Sequence, residues 1–255
     1  MLLGIDHLVI ATPDPDAAAE DMGRALGLKA SGGGRHEALG TFNRLIWLGD
    51  SFVELIGVFD RGLAKGSWTG RPTLQALASG AGLATWAIAT DDIERDSAAL
   101  RSLGSDLQPA LSGQRARPDG RVVQWRFALP PTLGPSTPPF LIEHDATAAE
   151  WTAADRLARA AEVHPIGGPV RLEVLEIPVD DFSQSIQGFT RTVGLRFRPS
   201  LAGAGARDAS VGEQILRLRP RRAARPSLPT VLLSVRGGAP RSADAVGCHW
   251  LVRAG

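Results

Sequence analysis

Three stretches of the chain run apolar for the length of a strand, stop at an aspartate, and then change to a helical period. They are Ile5 to Asp14, Ala84 to Asp92, and Leu172 to Asp181. After the first, Ala18, Met22 and Leu26 recur at one face of a helix. Ile93, Leu100 and Leu103 do so after the second, and Phe182, Ile186, Phe189 and Val193 after the third. Short strand-like runs come next: Leu45 to Leu48, a Gly49-Asp50 turn, then Ser51 to Ile56. The second copy has a Pro118-Asp119-Gly120 turn into Arg121 to Ala128, a proline-rich loop, and Phe140 to Glu143. The third has Gln214 to Leu218 and Thr230 to Val235 around a basic loop. The repeating unit is strand–helix–strand–strand–strand, with a spacing far beyond the ~20–50 residues of solenoid repeats.

This pattern predicts an α+β protein of repeated βαβββ modules. The first spans 1–64, the second 83–146, and a third, degenerate module with its tail spans 168–255. A connecting helix fills 147–167, with Thr147 and Glu150 at capping-box spacing and Trp151, Ala154, Leu157 and Ala161 on one face. Pro72 to Ala78 predicts a short helix, and Cys248 to Val252 a last strand.

Charge narrows the partners. The 255 residues carry 28 basic and 27 acidic side chains, a net charge of +1 that gives no case for nucleic-acid binding. The arginines at 217, 219, 221, 222 and 225 read as a solvated strand edge and loop. No stretch approaches the ~18 apolar residues of a membrane span, and Asp6 and His7 make the N-terminus a strand, not a signal peptide. The absence of tyrosine rules out phenol chemistry. The lone Cys248 rules out an intrachain disulfide and thiolate metal sites and fits a reducing cytoplasm.

Chemistry enters with two residues that interrupt apolar strands. His7 lies in the first strand, and Glu54 lies between Val53 and Leu55. A charge buried without a partner is costly, so each must be paired, protonated or metal-bound. Hydrogen bonds between the two, or to the backbone, would satisfy that requirement without an ion. Glu143 occupies the corresponding place in the second module and Thr85 stands where His7 would fall. His36 precedes a Gly40-Thr41-Phe42-Asn43 stretch. Asn43, Gln124 and Arg126 alternate with apolar neighbours, so they face either a ligand or solvent. Simple alternation turns His144 away from Glu143, and His164 and His249 read as structural. No nucleophile elbow, phosphate loop or dinucleotide fingerprint is present.

The stretches Ile5 to Ala11, Arg35 to Leu45 and Phe52 to Ile56 resemble the vicinal oxygen chelate superfamily, and most closely its glyoxalase-like branch. The resemblance implies that two modules close into a half-open mixed β-barrel around a divalent metal. Residue by residue, it implies His7, Glu54 and Glu143 as ligands, with Glu143 doubling as the catalytic base. His36, Asn43, Gln124 and Arg126 would then bind substrate. Thr85 departs from the His, Gln or Glu common at the fourth ligand position. One histidine and two carboxylates suit Mn, Fe, Zn, Ni or Mg.

Two functions follow. One is a metal-dependent lyase, isomerase or dioxygenase acting on a small oxygen-rich molecule. The other is a metal-free protein that binds or sequesters a small molecule, as in bleomycin resistance. The third module, with Val174 and Ser234 where His7 and Glu54 would align, is expected to be chemically silent. It would either pack beside the barrel or supply a homodimer interface.

Overall fold

The computed structural model describes residues 1–117, 119–203, 205–221 and 228–255; Arg222 and Arg225 of the basic run lie outside them. The first half contains β1 (Leu2–Ala11), α1 (Pro15–Leu26), β2 (Gly33–His36), β3 (Thr41–Leu48), β4 (Ser51–Val58), α2 (Arg61–Gly66), α3 (Gly70–Ala78), β5 (Gly82–Thr90), α4 (Ile93–Ser102), β6 (Leu111–Ala116), β7 (Val122–Ala128) and β8 (Phe140–His144). The second contains α5 (Ala153–Ala160), β9 (Val170–Val179), α6 (Phe182–Val193), β10 (Arg198–Pro199), β11 (Arg207–Val211), β12 (Gln214–Pro220), β13 (Thr230–Val235), β14 (Arg241–Ala245) and β15 (Cys248–Ala254).

The aspartate at the end of each apolar run is a helix cap. Asp14 accepts hydrogen bonds from the amides of Asp16 and Ala17, Asp92 from Arg95, and Asp181 from Gln184. Each satisfies amides that the first helical turn leaves free. This is why strand gives way to helix at the same point in all three copies.

Two sheets result. The first runs β2-β3-β4-β1-β5-β8-β7-β6, with β1 parallel to β4, β5 parallel to β8, and β1 antiparallel to β5. Its two ends curl together, and Arg115 of β6 donates to the Gly33 carbonyl of β2 at 2.9 Å. The second runs β10-β11-β12-β9-β13-β15-β14, repeating the order of the first from its β2 edge but ending one strand short, without a helix between β13 and β14. Residues 230–254 thus form a further β-only unit, a copy the repeat pattern misses because it has no helical period to mark it.

One apolar core joins the sheets. Leu8 and Ile10 of β1 and Trp86 of β5 pack with Leu175 of β9, Trp250 of β15 and Phe189 of α6. The turns of the second sheet dock on the first. Gly212 (φ 59°) and Gly247 (φ 70°) meet the backbone at Leu3 and Ala81, leaving no room for a Cβ. Gly212→Ala or Gly247→Ala combines left-handed strain with overpacking and should destabilise the chain by about 2–4 kcal/mol. Thermal or urea unfolding will measure it.

The connecting segment differs from the sequence expectation. Glu150 adopts φ 70°, which no helix tolerates, and the helix begins only at Ala153. Its capping box is Thr152 with Asp155, not Thr147 with Glu150. Trp151 is buried, yet Leu157 is 73% exposed and needs no cover. His164 is structural. Its Nδ1 accepts from the Lys29 amide at 2.9 Å and its Nε2 meets the Trp47 carbonyl at 2.8 Å, tying the connector to the first module. Among the described residues no helix is long and apolar enough to cross a membrane.

Candidate active site

The face of the first sheet turned away from the core surrounds a cavity of about 70 Å³. His7, Asn43, Phe52 and Glu54 come from the first module, and Trp125, Phe140, Ile142 and His144 from the second. His36, Trp68, Arg115, Glu150 and Trp151 complete the wall.

Simple alternation would send Asp6 and His7 to opposite faces. The β1–β5 register instead shifts between Ile5 and His7, and a bulge of this kind re-aims side chains. Asp6, 2% exposed, therefore reaches both histidines. It lies 2.5 Å from His7 Nδ1, and 3.0 and 3.1 Å from His144 Nε2. His7 Nε2 stands 3.8 Å from Glu54 Oε2, and the His7 ring stacks on Phe52 at 4.5 Å. Asn43 donates from Nδ2 to Glu54 Oε1 at 2.6 Å, and Asn43 Oδ1 accepts from the Gly34 amide at 2.9 Å. The result is two hydrogen-bonded groups, His144–Asp6–His7 and Glu54–Asn43, that face each other across 3.8 Å. His144 is stacked on Trp151 with ring centroids 3.4 Å apart.

Burial pushes the Asp6 carboxyl up, but the charge and hydrogen bond of His144, joined by His7, hold it well below the usual carboxylate range. Burial lowers the His144 imidazole, with Asp6 opposing incompletely, and lowers His36 in the same way. His36 meets the Thr41 hydroxyl through Nδ1 at 3.0 Å. These directions fix a pH dependence. Unfolded histidines take up protons near pH 6.5 while the buried ones resist, so stability is complete above that value and falls as pH drops through it. A second loss follows below about 3.8, as unfolded Asp6 gains a proton that the folded chain refuses. Urea titrations from pH 8 to 4 should show the first decline.

Three of the sequence candidates lie elsewhere. On β8, Phe140, Ile142 and His144 face the cavity, so Glu143 faces the other way. Its Oε2 accepts from the Ile93 amide at 3.0 Å, capping α4. Gln124 and Arg126 also point outward, flanking Trp125, and Arg126 pairs with Glu94. All three line an open outer groove that meets the cavity wall at His144. The structure thus brings together His7, Glu54, His36 and Asn43, and excludes Glu143, Gln124 and Arg126. Asp6, His144, Arg115 and Trp68 enter unforeseen. Pairing Phe140 with Phe52 would have located His144, since it puts Ile142 in phase with Glu54.

The same phase places the metal ligands that the resemblance implies. β4 meets β1 with Phe52 beside His7, and β8 meets β5 with Phe140 beside Ala87. Ala87 and Ile142 therefore stand in the second module where His7 and Glu54 stand in the first, and neither can ligate. Thr85 is buried with its hydroxyl unpartnered among the described residues and does not line the cavity. Among the described residues no group of three or more His, Cys, Asp or Glu side chains is arranged to hold a metal ion. The donor set His7, Glu54 and Glu143 is not assembled, because Glu143 lies one residue out of phase.

In the second sheet, Arg217 pairs with Glu176 across β12–β9 as Glu54 pairs with Val9 across β4–β1. The counterpart of Glu54 is thus Arg217, not Ser234, and it is tied to Asp208 at 2.8 Å.

Paired βαβββ modules closing one sheet around a cavity define the vicinal oxygen chelate architecture. The family model described as a glyoxalase-like domain matches residues 5–193, and the chain belongs to that family. Among solved structures, a hypothetical protein from Staphylococcus aureus shares the fold over 98% of both chains, at 15% identity and a TM-score of 0.78. A Streptomyces coelicolor methylmalonyl-CoA epimerase is 21% identical over 58% of this chain and 99% of its own, with a TM-score of 0.43. The Mycobacterium tuberculosis methylmalonyl-CoA epimerase is 18% identical over 56% of this chain and 87% of its own, with a TM-score of 0.40. No curated protein matches the chain.

Proposed function

We propose that the cavity is an acid–base site that shifts a proton between neighbouring atoms of a small organic molecule, without a resident metal. The observation that carries this reading is the Asp6–His7 pair, with His7 Nε2 opening toward Glu54. Asp6 fixes the ring by engaging Nδ1, which leaves Nε2 to take up and return a proton. Asp6 is itself held ionised by His144. Removal and return of the proton by His7 on one face of the substrate is an isomerisation. Glu54, fixed by Asn43, keeps Oε2 for the polar groups of the ligand.

The test is proton NMR in D2O with EDTA present, using a panel of small aldehydes, ketones and aminoketones. Deuterium should enter beside the carbonyl of at least one compound and remain undiminished by the chelator. Exchange that stops with EDTA and returns with a divalent ion contradicts the proposal. A compound that binds but exchanges nothing favours the sequestering function instead.

A further inference from the structure

The polar groups of the cavity are unevenly divided. The guanidinium and amide donors are engaged within the protein: Arg115 on Gly33 and Glu150, and the Asn43 amide on Glu54. The acceptors are engaged only in part. Glu54, only 8% exposed, takes the Asn43 amide on Oε1 and has no ion-pair partner within 4 Å among the described residues except His7, 3.8 Å from Oε2. His144 turns its Nε2 to Asp6, and its buried Nδ1 has no hydrogen-bond partner among the described residues. The wall of the cavity that holds Glu54 includes four aromatic side chains, Phe52, Trp68, Trp125 and Phe140. Trp68 stands 5.2 Å from Phe140, edge to face.

A carboxylate left in such surroundings requires a counter-charge. A neutral ligand would leave it unbalanced, and an acidic ligand would set two like charges together. Aromatic faces attract cations through their quadrupoles, most strongly where water is excluded. We infer that this cavity takes a small organic cation, a substituted ammonium, seated on the aromatic wall with its charge against Glu54. This rests on reading the cavity as a ligand site and gives the proton-transfer substrate an ammonium group. His7 retains the acid–base role, and Glu54 holds the charge.

The experiment compares tetramethylammonium with tert-butanol, a neutral molecule of the same heavy-atom count. Both are titrated into the full chain at matched sodium chloride concentration and followed by calorimetry and tryptophan fluorescence. Tetramethylammonium should bind at one site, about 10-fold or more tighter than tert-butanol. Glu54→Gln should weaken the cation by a similar factor and leave tert-butanol unchanged. Glu143→Gln, on the opposite face, should change neither. Equal binding of the two molecules, no binding of the cation, or a cation affinity untouched by Glu54→Gln overturns the inference. The wild-type comparison alone decides it should Glu54→Gln fail to fold. Cation binding without deuterium exchange of any panel compound would sink the proton-transfer reading and leave the cation site standing. Exchange of neutral ketones without cation binding would do the reverse.

Discussion

Replacing His7 with glutamine should lower hydrogen exchange into a responsive substrate by about 10²–10⁴-fold, the usual contribution of a positioned acid–base group. The substitution keeps a polar side chain of similar reach, so the amide can still meet Asp6 and pack on Phe52. What it removes is the nitrogen that opens toward Glu54. The ligand affinity of His7→Gln should therefore change far less than its exchange rate. That split separates a proton carrier from a mere wall of the cavity. NMR exchange rates and calorimetry on one preparation measure both, and equal losses in the two would count against the assignment.

Asp6→Ala should have the largest effect on stability. Asp6 is buried between two imidazoles and is their shared partner. Removing it leaves His7 Nδ1 and His144 Nε2 without their acceptor, alongside a His144 Nδ1 already without a partner among the described residues. Loss of one member of a buried ionic group costs about 3–5 kcal/mol. For a chain of this size that lowers Tm by roughly 6–20 °C. Asp6→Asn keeps the shape and one acceptor, so it should cost less stability yet still lower exchange, because the neutral amide no longer stabilises the imidazolium formed as His7 takes up a proton. A Tm for Asp6→Ala within about 2 °C of wild type would show that Asp6 does not hold the histidines together.

Much of the fold was legible because its signals are local. A capping aspartate, a helical period and a tight turn each sit within a few residues of the element they define, and the α+β repeat follows from their recurrence. The last β unit carries no helix, so its short strands recur without that marker. The site was legible only in its first module. His7 and Glu54 interrupt apolar runs and declare themselves as polar residues in buried strands. Glu143 and His144 sit side by side in β8, and the strand's phase decides which of them faces the cavity. Phe140, Leu141 and Ile142 are all apolar and do not set that phase; both faces of the strand are covered, one by the core and one by the cavity. Gln124 and Arg126 pose the same question, since alternation places them on one face without saying which face is inward. Asp6 was hidden for a different reason. Strict alternation separates it from His7, and only the register shift against β5 brings the two together.

The central claim is that Asp6 fixes His7 with a hydrogen on Nδ1 and leaves Nε2 open to the cavity. Two-bond nitrogen–proton correlation NMR on ¹⁵N-histidine-labelled protein at neutral pH reads this directly. A hydrogen-bonded proton is expected on Nδ1 of His7, with Nε2 bare in the free protein. A proton found on Nε2 with Nδ1 bare would contradict it, for the atom facing Glu54 would then have no lone pair with which to accept a proton.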